Sequence, residues 1–239
     1  MPTRKYKMYS PTRRRYSPLI LYEFDKKKQI LMKYIRKNRI DISKLSYSIT
    51  QIIEISEWCQ EDIFQYIIHY EKKGKKGGVT PNTKELKAKK EHIWGNYYRQ
   101  LITKDRKFTT NWTTTVGEHF VQDILILLGH NNVIKPHKKE NYQPDIITNK
   151  GVFEVKSRTW GTSGTAGEKI YGVPWKYSGV PRLFGKPLYI VLVGAQEERD
   201  GAEELFSLLT PDKLEFMKFY KSMNIHFVKL SDILKLLGL

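Results

Sequence analysis

Cysteine is nearly absent: Cys59 is the single one in 239 residues. That excludes a disulfide framework, a Cys-based zinc site and a dithiol redox centre, and it suits a reducing compartment. Long apolar runs are missing as well. Ile124–Leu128 and Leu188–Val193 fall far short of the roughly 20 residues needed to cross a bilayer. The start, MPTRKYKMYSPTRRRYSPLILY, is basic but lacks the apolar stretch of a secretory signal, and Pro2, Pro11 and Pro18 spoil a transit-peptide helix. Acidic residues are scarce beside basic ones, 25 Asp+Glu against 42 Lys+Arg, a net charge of +17. Such an excess implies a polyanion partner, nucleic acid before an anionic membrane surface. The composition therefore predicts a soluble, cytoplasmic protein with no membrane partner. With 40% hydrophobic and 13% aromatic residues the chain can build a core, as one large domain or two small ones.

The charge is unevenly spread. Residues 1–110 hold 26 Lys+Arg and 11 Asp+Glu, net +15, and residues 111–239 hold 16 and 14, net +2. Two halves so different in charge are expected to do different work. Within the first 22 residues Arg4, Lys5, Lys7, Arg13, Arg14 and Arg15 are interleaved with Tyr6, Tyr9 and Tyr16. This is either an arm that lies along a phosphate backbone or a solvated basic tail.

Residues 23–73 read as helical, since Ile30, Leu31, Tyr34 and Ile35 form an apolar stripe and later isoleucines repeat the spacing. Ser48 with Gln51 makes a capping box, and Ser56 with Glu57 marks a further helix start. Three short helices suit a helix-turn-helix reader that inserts Gln60–Tyr70 into a major groove, or a plain helical subdomain. Lys72–Gly78 then reads as a basic linker and Thr83–Ile102 as another helix.

The second half predicts a helix over Val116–Leu128 ended by Gly129, then strands over Val133–Lys135, Asp145–Thr148 and Val152–Lys156. Asn149-Lys150-Gly151 turns the last two into a hairpin. A long loop leads to a buried strand, Leu188–Val193, and Pro211 opens a helix running to about Met223. A strand over Ile225–Leu230 and a last helix capped by Ser231 complete the chain. The fold class is α/β (α+β), a mixed sheet flanked by helices behind a basic helical region.

One constellation carries chemistry. Pro144-Asp145 is followed, after eight residues, by Glu154-Val155-Lys156. On a strand Glu154 and Lys156 share a face while Val155 turns into the core, and Asp145 starts the partner strand beside Glu154. Two adjacent carboxylates tolerate joint ionisation when a cation lies between them. Oxygen ligands without Cys or His favour Mg²⁺, with Mn²⁺ able to substitute. A lysine beside them can position a water or phosphate oxygen, which together suits metal-assisted phosphodiester hydrolysis.

These residues resemble the signature of the PD-(D/E)xK nuclease superfamily, over roughly residues 112–195. The resemblance implies a restriction-endonuclease-like α-β-β-β-α-β core in residues 111–239, and the charge split makes residues 1–110 a basic, mainly helical DNA-gripping and dimerising region. It implies that Asp145 and Glu154 bind the metal and Lys156 assists the attacking water. Glu118, on the preceding helix, either supports a metal or closes a capping box with Thr115. His119 beside it reads as a helix-surface residue and not as a base.

Ser157–Lys186 holds six glycines, with Arg158, Lys169, Lys176 and Arg182 among Trp160, Tyr171, Trp175, Tyr177 and Phe184. It is either a DNA-contacting loop or a structured loop packing its aromatics on the core. Gly164–Tyr177 is similar to segments following the E-x-K strand in some type II restriction endonucleases. The implied activity is Mg²⁺-dependent cleavage of double-stranded DNA by a homodimer, in the cytoplasm of a bacterium or of a virus-infected host cell. Junction resolvases, repair or replication nucleases of this superfamily, and a non-catalytic DNA-binding protein, are the alternatives.

Overall fold

The computed structural model describes residues 18–60, 84–161, 170–197, 206 and 210–239. The Arg13–Arg15 arm, the basic linker, Lys169 and all of the proposed groove-reading segment except Gln60 lie outside these residues.

Alternation of side chains builds the sheet. Strands β1 (Ile146–Ile147), β2 (Val152–Arg158), β3 (Leu188–Gly194) and β4 (Ile225–Lys229) pair in that order. The β1/β2 pair is antiparallel and the two that follow are parallel. Phe153, Val155, Val191 and Val193 pack on one face, Val152, Leu188, Ile190 and Leu192 on the other. Both faces of β3 are therefore apolar, which is why it reads as an unbroken hydrophobic run.

The first face is covered by helices from both halves of the chain. Helix α1 (Pro18–Asn38) contributes Leu31 and Ile35, and α2 (Ile49–Cys59) contributes Ile52, Ile53, Ile55 and Trp58. Helix α3 (Lys84–Ile102) adds Trp94 and Tyr98, and α4 (Trp112–Leu127) adds Trp112, Val116, Phe120 and Ile124. The change in charge near residue 110 thus coincides with no break in the core. Trp58 stacks on Trp94 at 5.7 Å between centroids and meets Trp112 at 5.2 Å. The opposite face receives two short helices, α5 (Val173–Lys176) and α6 (Val180–Phe184), through Val173, Tyr177 and Val180. Helix α7 (Pro211–Ser222) adds Met217 and Tyr220 there, and α8 (Leu230–Leu236) returns to the first face.

Several elements differ from the sequence expectation. Residues 18–60 form the 21-residue helix Pro18–Asn38, a short 3₁₀ turn and α2, rather than a series of short helices. Ser56 and Glu57 start nothing: both are buried inside α2, whose true N-cap is Ser48 with the expected capping box. The strand at Val133–Lys135 reduces to a single bridge, Ile134 to Ile147. Ser231 does not cap α8, which begins at Leu230, and its backbone N–H instead donates to Glu197. The loop after β2 carries α5 and α6, each entered through Gly-Val-Pro, with the Pro in the first turn where a missing N–H is tolerated. No helix among the described residues is long and apolar enough to cross a membrane.

Candidate active site

The site lies where the β1/β2 hairpin meets α4 on one side and α5 on the other. Asp145 precedes β1, and the register pairing Ile146 with Phe153 sets it next to Glu154. Its Oδ2 accepts the Val155 backbone N–H at 2.7 Å, so the hairpin itself fixes the carboxylate. Glu154 is buried on the face opposite Val155, and its Oε1 pairs with Lys156 Nζ at 2.5 Å. Its Oε2 is buried and has no hydrogen-bond partner. A carboxylate oxygen in that condition is costly unless a further donor or cation meets it.

Glu118 approaches from α4. That helix begins at Trp112 with Asn111 as N-cap, so Thr115 lies within it and the Thr115–Glu118 capping box does not form. Glu118 is instead half-buried near the hairpin, with its carboxyl pushed up to about 7. Burial is the main cause and the Asp145 charge the next, Lys135 opposes them, and Glu154 and Lys156 contribute smaller effects of opposite sign. Close approach of α4 to β2 depends on Gly117: a Cβ there would sit 1.9 Å from Ser157 Oγ.

Glu154 is also held above the usual carboxylate range, by burial first and the Asp145 charge second, with Lys156 and Tyr177 opposing. Tyr177, the C-cap of α5, lies within electrostatic reach of the Glu154 carboxylate, and burial followed by the Glu154 charge raises its own pKa. Three carboxyl groups and the Tyr177 phenol therefore act on one another, with Lys156 beside Glu154 and Lys135 acting on Glu118. His119 is half-buried, with Nδ1 3.1 Å from Ser46 Oγ, and burial lowers its pKa.

Among the described residues, no three His, Cys, Asp or Glu side chains stand close enough to ligate one ion as they are arranged. The donor set still fits a hard divalent cation. Asp145 and Glu154 are adjacent, Glu118 feels both charges, all donors are oxygens, and Glu154 Oε2 is an unsatisfied buried acceptor.

The basic residues expected to meet nucleic acid separate by environment. Lys176 is exposed, its Nζ 4.8 Å from the Tyr177 ring centroid, and Arg182 is exposed with Glu140 3.8 Å away. Arg158 is buried at the end of β2, so it does not offer its guanidinium to the surface. Sequence reasoning assigned no role to Lys135, and read Tyr177 only as one of the loop aromatics that contact DNA or pack on the core. Lys135 carries a basic charge just after Ile134, the residue that bridges to β1, which is a readable hint. Tyr177 became visible only when α5 folded back over β2.

Comparison of the chain with protein-family models, with curated proteins and with solved structures finds no match.

Proposed function

We propose that the chain is a Mg²⁺-dependent endonuclease of the PD-(D/E)xK type that hydrolyses phosphodiester bonds of double-stranded DNA, as a type II restriction enzyme does. The observation that carries this reading is the hairpin, which sets Asp145 beside Glu154 and Lys156 and leaves one buried Glu154 oxygen unsatisfied. The order α4, Ile134 bridge, β1, β2, α5 and α6, β3 supports it, being compatible with the α-β-β-β-α-β core that the resemblance implies.

Asp145 and Glu154 would hold Mg²⁺, with Glu118 as the third carboxylate. Bound there, the ion supplies charge neutralisation and Lewis acidity toward the phosphate. The rest falls to the chain. Lys156, released from Glu154, orients the attacking water and stabilises charge developing on the phosphate oxygens. Tyr177 adds a phenol within electrostatic reach of the Glu154 carboxylate. Lys135 and Lys176 offer exposed cations to flanking phosphates. Cutting both strands takes two centres, and a symmetric homodimer is the simplest arrangement.

The test separates binding from chemistry. With Ca²⁺ replacing Mg²⁺, Lys156→Ala should bind duplex DNA within a few-fold of wild type in fluorescence anisotropy, yet cleave it at least 100-fold more slowly in Mg²⁺, on the order of one lost transition-state contact. Undiminished cleavage by Lys156→Ala contradicts the assignment.

A further inference from the structure

The segment between α1 and α2 is fastened to α4 one residue from Glu118. Asp123, buried on α4, accepts the backbone N–H groups of Ser46 and Tyr47 at 2.8 Å each. One turn earlier on the same helix, His119 Nδ1 stands 3.1 Å from Ser46 Oγ. Neighbouring helical positions are turned by about 100°, so this segment meets one flank of α4 while Glu118 stands on the other. The two flanks are separated by one helix width, roughly 10 Å. That spans about three nucleotides of a strand carrying one phosphate per roughly 3.4 Å.

The fastened segment is cationic. Arg36 and Lys37 close the last turn of α1, Arg39 follows it, and Lys44 ends the short 3₁₀ turn Ile42–Lys44. All four are exposed. Asp41, 3.7 Å from Lys44, is the one acid between Arg36 and Ser48. None of the ion pairs among the described residues engages Arg36, Lys37 or Arg39.

Arg39 also occupies an unfavourable backbone. Its φ is 53°, left-handed, just past a helix end, where glycine or asparagine is preferred. The Arg39 N–H reaches the Arg36 carbonyl at 3.3 Å and the Ile40 N–H reaches Ile35 at 3.1 Å, so the chain turns sharply there. The exposed side chain does not offset that strain by packing. Strain of this kind, retained without a packing reason, points to a contact made with another molecule.

We propose that Arg39 and Lys44, with Arg36 and Lys37 beside them, bind backbone phosphates of the DNA about three nucleotides from the acidic centre. This rests on the nuclease reading and gives it a substrate track. The strand leaves the centre past Glu118, crosses α4 at the half-buried Gln122 and reaches the cations that Asp123 and His119 hold in place through Ser46. Contacts to phosphate position the duplex and carry no base sequence.

The full chain is titrated with duplex DNA in Ca²⁺ by fluorescence anisotropy at a series of salt concentrations. Each phosphate contact adds about 0.9 to the slope of log affinity against log salt, so Lys44→Ala and Arg39→Gly should each flatten it by about that much on any DNA sequence. Lys235→Ala removes an equally exposed lysine of α8, paired with Asp232, and should keep the wild-type slope. Arg39→Gly should melt at or above the wild-type temperature, since glycine suits the left-handed backbone; a lower melting point joined to a wild-type slope would make the side chain structural. Wild-type slopes in both variants, or equal flattening by Lys235→Ala, overturn the proposal and leave the nuclease reading in place. Flattened slopes with no Mg²⁺-dependent cleavage by wild type support the phosphate contacts and remove only the nuclease reading. A wild type that binds phosphatidylserine vesicles and not DNA overturns both.

Discussion

The Asp145 carboxylate accepts the Val155 backbone N–H at 2.7 Å, which locks an acidic side chain just ahead of β1 onto the main chain of β2. The bond falls between Glu154 and Lys156, so a single contact fixes the spacing of all three groups. It separates the structural role of Asp145 from its charge. Asp145→Asn retains an acceptor oxygen and should fold with a melting temperature close to wild type, while cleavage falls at least 100-fold, on the order expected for a lost electrostatic contact. Asp145→Ala should lose cleavage equally and about 1 kcal/mol of stability besides. Thermal melts with single-turnover cleavage assays check both, and equal stability of the two variants would deny the bond a structural role.

Gly117 sets the distance between α4 and β2. Its hypothetical Cβ would lie 1.9 Å from Ser157 Oγ and 3.0 Å from Ser157 Cβ, so rotating the hydroxyl away does not fully relieve the contact. Gly117→Ala is expected to lower stability by about 1–3 kcal/mol. Pairing it with Ser157→Gly should recover most of that loss. Urea unfolding of the single and double variants measures both, and a wild-type midpoint for Gly117→Ala would show that α4 shifts freely.

Glu118 gives the metal-free protein a pH signature. Its carboxyl is raised in the folded state from 4.5 to about 7, so between those values the folded chain holds more proton than the unfolded one. The contribution to stability is thus fully present below about pH 4.5 and is lost as pH rises through about 7. Asp123, pushed to about 7 by burial, adds a slope of the same sign. Glu118→Gln should flatten the fall between pH 5 and 8 in EDTA without removing the Asp123 share. Mg²⁺ at pH 8 should stabilise wild type more than Glu118→Gln. Denaturant midpoints across that range provide the readout, and parallel profiles for the two proteins would contradict it.

Glu91 anchors the segment that leaves β2. Its carboxylate is buried and accepts the Trp58 indole N–H at 2.9 Å, the Trp160 backbone N–H at 2.9 Å and the Gly161 backbone N–H at 2.8 Å. Removing it leaves two buried donors and one half-buried, each buried one costing about 1–3 kcal/mol. Glu91→Ala should therefore lose about 3 kcal/mol or more in urea unfolding, and a loss below about 1 kcal/mol would show that water replaces the carboxylate.

Much of this architecture is legible in the residues. Leu188–Val193 announces a strand buried on both faces, Ser48 with Gln51 a helix start, and Pro211 another; all three hold. The turn at Asn149-Lys150-Gly151 and the alternation of Glu154, Val155 and Lys156 place the acidic pair and the lysine as found. What misled were short polar patterns that tertiary packing overrides. Thr115 with Glu118 has capping spacing, but burial of Trp112 and Val116 extends α4 past it. Ser56 likewise sits inside α2, its hydroxyl donating to the Ile53 carbonyl. Glycine content hid α5 and α6, though the repeated Gly-Val-Pro at 172–174 and 179–181 is a helix-start signal. Tyr177 beside Glu154 was not legible, because that contact depends on a chain reversal of which the sequence carries no local trace.

The most direct test of the account is the product pattern from long duplex DNA incubated with the full chain in Mg²⁺, run beside Glu154→Ala and an EDTA control. The account predicts discrete fragments from wild type and intact DNA in both controls. Intact DNA from wild type in both Mg²⁺ and Mn²⁺, or undiminished cutting by Glu154→Ala, would contradict it.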